Sequence, residues 1–117
     1  MMLERFLVLS AVLFSIGLYG VLTRRNAVSV LMAIEIMFNA VIIAAVAMSR
    51  YVAPAALRAN PAATEDTAVQ MVLTGQVFAI FIITVAAAEV ALGLAIVIAI
   101  YRSRGTVDVT EVNLMRR

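Results

Sequence analysis

Three long apolar runs separated by short polar knots make up most of the chain: about residues 3–23, 27–49 and 75–101, the last inside a stretch from 69 to 101. A bilayer core about 30 Å thick takes roughly 20 apolar residues of helix. The pattern therefore predicts an all-α membrane protein with three transmembrane helices, a single domain over residues 1–117. Arg24-Arg25-Asn26 leaves only a short turn between the first two spans, as an antiparallel helical hairpin needs. As one helix, the stretch from 69 to 101 would be roughly 50 Å long, more than the hydrocarbon needs. Thr74-Gly75-Gln76 is the expected entry point or kink, with the turn before it standing outside the membrane. Residues 50–68 read as a loop with Pro54 and Pro61 as breakers, and Glu65 and Asp66 stand where a helix N-terminus favours negative charge. Residues 102–117 form a polar tail expected to lie along the membrane surface.

The first run begins after Arg5 and so bears comparison with a secretory signal. Its uncharged part, Phe6 to Thr23, is 18 residues long and ends at Arg24-Arg25 without a small-residue cleavage pattern, which predicts a retained span. Orientation follows from the arginines, because cytoplasmic flanks carry the excess. The first turn and the tail share one side and hold Arg24, Arg25, Arg102, Arg104, Arg116 and Arg117, against Arg5, Arg50 and Arg58 on the other. The N-terminus is expected outside, in periplasm or lumen, and the C-terminus in the cytoplasm. Tyr19, Tyr51 and Tyr101 fall near span ends, as interfacial aromatics do.

Composition narrows the chemistry. The chain is 65% hydrophobic and 14% charged, with a mean hydropathy of +1.09, well outside the soluble norm. Its nine basic residues, all arginine, sit in small groups against seven acids, which argues against nucleic-acid binding. With no cysteine and no histidine, thiolate, haem and zinc ligation are missing from this chain. Seven methionines show no metal spacing and read as packing.

Two carboxylates interrupt the spans. Glu35 lies ten residues beyond Arg25 and Glu89 thirteen before Arg102, so both stand roughly 15 to 20 Å deep on antiparallel helices. A charge at that depth costs on the order of 3 kcal/mol, and apolar surroundings favour the neutral form of a carboxyl. A group that holds and releases a proton there suits a proton relay; the plainer reading is hydrogen-bonded glue between helices. Two acids at one depth, with no other charge inside the spans, favour the relay. Asn39, one turn beyond Glu35, is placed either to hydrogen-bond it or to contact another helix. Ala87, Ala91, Ala95 and Ala99 form a four-residue stripe largely opposite Glu89, which suggests an interior place for that acid. Ser10, Gly17 and Gly20 share a face suited to close packing. Arg24 and Arg25 serve as topology signals, or in addition as a contact or proton-entry point.

The residues that carry a resemblance are "RRNAVSVLMAIEIMFNAVIIA" (24–44), "GQVFAIFIITVAAAEVALGLAIVIAIYR" (75–102) and the tail "TVDVTEVNLM". They closely resemble the K-type subunit (NuoK/NdhE, also called the 4L-type chain) of respiratory complex I and its cyanobacterial and plastid relatives. The resemblance implies three transmembrane helices in a membrane arm that couples quinone reduction to proton translocation. It further implies that Glu35 and Glu89 are the two acids of the proton pathway, and that Arg24 and Arg25 are the basic pair of the cytoplasmic turn. Residues from about Ala55 to Leu73 look like an insertion against that pattern.

The expected function is thus that of a non-redox, proton-translocating subunit of an NADH:quinone-type oxidoreductase, without a complete active site of its own. Cofactors are expected only on partner subunits, as quinone, flavin and iron–sulfur clusters. The expected partners are the J-, A-, H- and N-type membrane subunits and the lipid bilayer, in a bacterial plasma membrane or a thylakoid-type one. The alternative is the small subunit of a multisubunit cation/proton antiporter, which shares the three-span plan. A small drug exporter fits less well, since Glu89 has no aromatic neighbours to hold a cation and the chain has no tryptophan.

Overall fold

The computed structural model describes residues 2–60, 62, 65–113 and 115. Three helices follow one another: α1 (Met2–Thr23), α2 (Ala27–Arg58) and α3 (Glu65–Arg104). Each contains a stretch long and apolar enough to cross a membrane: Met2–Thr23, Ala27–Val52 and Val69–Arg104. At 1.5 Å per residue α1 is about 33 Å long and matches a bilayer, whereas α2 and α3, about 48 and 60 Å, outrun it.

The connection expected over residues 50–68 is mostly helix. α2 continues through Pro54 to Arg58 and α3 begins at Glu65. Pro54 lacks the amide that would bond the carbonyl four residues back, and its ring crowds that carbonyl. The surrounding run, Tyr51 to Arg58, holds three alanines, a leucine and an arginine, whose helix propensity carries the helix past it. The expected second breaker, Pro61, lies outside the described residues, as do Arg116 and Arg117 of the orientation argument. α3 is also unbroken through Thr74-Gly75-Gln76.

α2 stands between α1 and α3, which share no contact among the described residues. The helices therefore form an open row, 69 Å long and only 24 × 19 Å across. Small residues make the seams. On α1, Ser10 and Gly17 are buried, and the Ser10 hydroxyl donates to the Ala40 carbonyl at 2.6 Å, tying α1 to α2. A Cβ at Gly17 would lie 2.8 Å from the Ala33 carbonyl oxygen and 2.6 Å from Met37 Cγ, and one at Gly20 2.9 Å from Ala33 Cβ. The face of Ser10, Gly17 and Gly20 is thus a close-packing face.

On α2 the buried residues are Ala33, Ala40 and Ala47, and on α3 Ala79 and Ala86, each seven residues from the next, with Gly93 seven further on against Leu31. The stripe Ala87, Ala91, Ala95 and Ala99 is exposed instead. Residues four apart advance about 40° around a helix at each step and leave any one face, while residues seven apart drift by only about 20°. Lipid supplies no hydrophobic drive for helix pairing, so close backbone approach over such small residues holds the row together. Hydroxyls outside the seams are satisfied locally: Ser15, Thr23, Thr74 and Thr84 each donate to the carbonyl four residues back.

The tail returns to the first turn. Gly105, at φ +70°, ends α3 with its amide on the Tyr101 carbonyl at 2.8 Å, a left-handed cap that suits glycine. Residues 107–109 then pair with the α1–α2 turn through a bridge between Asn26 and Asp108. The Ala27 amide donates to the Val107 carbonyl at 2.9 Å, and the Val109 amide to the Arg25 carbonyl at 2.8 Å.

Candidate functional site

The heights of the two intramembrane acids follow from how α2 meets α3. Gly93 packs against Leu31, and Gly75 against Ser49, whose hydroxyl donates to the Val72 carbonyl at 3.2 Å. The helices are therefore antiparallel and in register at both ends of the seam. Glu35 lies four residues after Leu31 and Glu89 four before Gly93, so both rise about 6 Å from that contact and stand at one level.

They stand on different sides of the row. Glu35 and Asn39 line a cleft of about 310 Å³ with Ile42 of α2 and Ile83, Ala86, Ala87 and Val90 of α3. The centre of the α3 seam runs through Ala79, Ala86 and Gly93. Residues 87 and 90 turn from it toward this cleft, by about 100° and 40°, whereas Glu89 turns about 60° the other way. The seam thus separates the carboxyl groups, one opening onto each broad face. Both are exposed in this chain. The four-residue alanine stripe expected to pack opposite Glu89 is not the packing face, and within this chain alone neither the stripe nor Glu89 is covered. Asn39 shares the cleft with Glu35, and among the described residues no hydrogen bond joins the two.

The basic pair is divided as well. Arg24 lines a cleft of about 450 Å³ between α1 and α2 with Ile16, Tyr19, Ser29, Met32 and Ile36. Arg25 is held by the tail through its carbonyl, and its charge faces Asp108. That carboxylate accepts from the Thr110 hydroxyl at 2.7 Å and the Thr110 amide at 2.9 Å. These bonds, opposed by slight desolvation and helped by Arg25, hold Asp108 below its ordinary value. Asn26 caps α2: its side-chain oxygen accepts from the Val28 amide at 2.9 Å. Sequence reading missed this role of Asn26 and the pairing of tail with turn, although an Asn directly before an apolar run is a cap signal.

Among the described residues no three His, Cys, Asp or Glu side chains gather to hold a metal ion. What the site offers is two carboxyl groups at one depth, each able to carry one proton, across a seam whose α3 side runs through Ala79, Ala86 and Gly93.

Comparison with known proteins agrees in length and kind. Residues 5–117 match the family described as NADH-ubiquinone/plastoquinone oxidoreductase chain 4L. The chain is 48% identical to the NAD(P)H-quinone oxidoreductase subunit 4L of Leptolyngbya boryana, over 99% of both chains. It is 49% identical to that of Nostoc, again over 99% of both. To the NADH-quinone oxidoreductase subunit K of Brevibacillus brevis it is 46% identical, over 98% of this chain and 96% of the relative. With three apolar spans and full-length relatives in cyanobacteria and other bacteria, the chain is a multi-pass protein of a bacterial or thylakoid membrane and belongs to the NADH-quinone oxidoreductase chain 4L family.

Proposed function

We propose that this chain is a non-redox membrane subunit of an NADH- or NAD(P)H-quinone oxidoreductase, and that Glu35 and Glu89 relay protons through it. The observation that carries this reading is the pair's geometry: one level on neighbouring antiparallel helices, on opposite faces of the seam between them. A proton bound on Glu35 faces the Asn39 cleft, and a proton bound on Glu89 faces the other side. Transfer between them crosses the α2–α3 seam beside Ala86, carried by water.

Moving one charge against 100 mV costs about 2.3 kcal/mol, and this chain has no redox group to supply it. The energy comes from quinone reduction in partner subunits, which carry the flavin, the iron–sulfur clusters and the quinone site. A change transmitted from them alternately favours the charged and neutral forms of the two acids. Neighbouring J-, A-, H- and N-type subunits cover Glu89 and the Glu35 cleft and continue the path. The turn that carries Arg24 and Arg25, with the tail, faces the cytoplasm, and the N-terminus faces periplasm or lumen.

The test is charge-neutral substitution in the assembled complex. Glu89→Gln and Glu35→Gln should leave subunit composition unchanged and reduce proton pumping coupled to quinone reduction by on the order of a hundredfold, as loss of a positioned proton-transfer group does. Pumping at the normal rate in either variant would overturn the relay.

A further inference from the structure

The α1–α2 seam opens, at the end of the membrane far from Arg25, into a cleft of about 490 Å³ lined by Phe6, Ile42, Ile43, Val46, Ala47, Arg50 and Tyr51. Its walls are hydrocarbon except at the mouth. There the apolar part of α2 ends at Val52, which brings Arg50 and Tyr51 to headgroup level. No carboxylate among the described residues pairs with the Arg50 guanidinium. The Tyr51 ring stacks on Phe6, centroids 6.1 Å apart at 27°, and closes one side. Among the described residues its hydroxyl has only the Met2 sulfur, 3.7 Å away, a weak acceptor.

We propose that this cleft is a site for an anionic phospholipid, with the headgroup phosphate on the Arg50 guanidinium beside the Tyr51 hydroxyl and one acyl chain laid along α2. Three observations fit a lipid. A guanidinium at the membrane surface with no carboxylate partner among the described residues matches a phosphate, which it grips with two parallel hydrogen bonds. The walls below it are aliphatic, as an acyl chain requires. The length also agrees: along α2 the lining runs from Arg50 to Ile42, eight residues or about 12 Å, most of the depth of one leaflet. A neighbouring protein helix seated here would have to bring an acid to Arg50.

The experiment uses the whole complex in bilayers containing phosphatidylglycerol or phosphatidylcholine with a photoreactive group in one acyl chain. Light should attach the phosphatidylglycerol probe to the segment from Ile42 to Tyr51. Labelling should fall about fivefold in Arg50→Gln, the factor one arginine contributes toward an anionic lipid. It should fall as far in Val46→Trp, which fills the cleft without touching charge. Phosphatidylcholine should label more weakly than phosphatidylglycerol. Equal labelling by both lipids, labelling unchanged in both variants, or a segment unlabelled by either lipid in the wild-type complex would overturn the proposal. Quinone reduction and pumping serve as controls, since neither variant alters Glu35 or Glu89.

Discussion

Gly17 and Gly93 both admit a neighbouring helix, against neighbours of different stiffness. A methyl group at Gly17 meets the Ala33 carbonyl oxygen at 2.8 Å, part of the α2 backbone. At Gly93 it meets Leu31 Cδ2 at 2.5 Å, the far end of a side chain that can turn aside. Gly17→Ala should therefore destabilise the α1–α2 pair by about 1–3 kcal/mol, the usual cost of overpacking, and Gly93→Ala by less. The temperature at which this chain is lost from the purified complex measures the order; a larger loss for Gly93→Ala would contradict it. The heights of Glu35 and Glu89 are of the same scale, and they were legible by counting residues from Arg25 and Arg102, because a straight helix converts count into depth. Their separation onto two faces was not legible. It depends on which stripe of α3 meets α2, and alanine is so common in residues 79–99 that a four-residue stripe competes with the seven-residue one that packs.

At the level of elements, the tail acts on α2 as a cap. The Ala27 amide is one of the helix-start donors without an internal partner, and the Val107 carbonyl takes it. The turn that presents Val107 and Val109 is held by Asp108 and Thr110. Asp108→Ala should loosen it, and the Ala27 and Val109 amides should exchange with solvent several-fold faster; unchanged exchange would mean that the backbone pairing suffices alone. The pH dependence follows from the direction of the shift. Asp108 titrates below its ordinary 3.8 when folded, so its contribution is complete above that pH and is lost as the pH falls through the lower folded value. Protection of the two amides should hold from neutrality to about pH 4 and drop below it, a drop absent in Asp108→Ala. The three helices themselves were legible from apolar run length, which the bilayer imposes. The connection was not, because Pro54 reads as a stop while its alanine-rich neighbours keep α2 going to Arg58.

As a whole the molecule is a layer one helix thick, and that sets what it needs from its surroundings. Its buried residues are alanines, Gly17 and Ser10, and no large side chain is fully buried among the described residues. Met32 and Val41 of α2 are nine residues apart, about two and a half turns, and so project from opposite faces; they are 62% and 45% exposed. A relay between Glu35 and Glu89 requires a continuation on each face, hence two neighbours rather than one. A photoreactive amino acid at position 32 should therefore crosslink to one protein subunit of the complex, and the same group at position 41 to a different one. Both crosslinks should persist in detergent that strips loosely held lipid. If one position captured only lipid, Glu35 or Glu89 would open onto acyl chains with no onward acceptor, and a path across the layer would have nowhere to lead. If both captured the same subunit, that subunit would have to wrap around an edge of the row. The free edges of α1 and α3, which share no contact with each other among the described residues, are where such a wrap would show as a third crosslink.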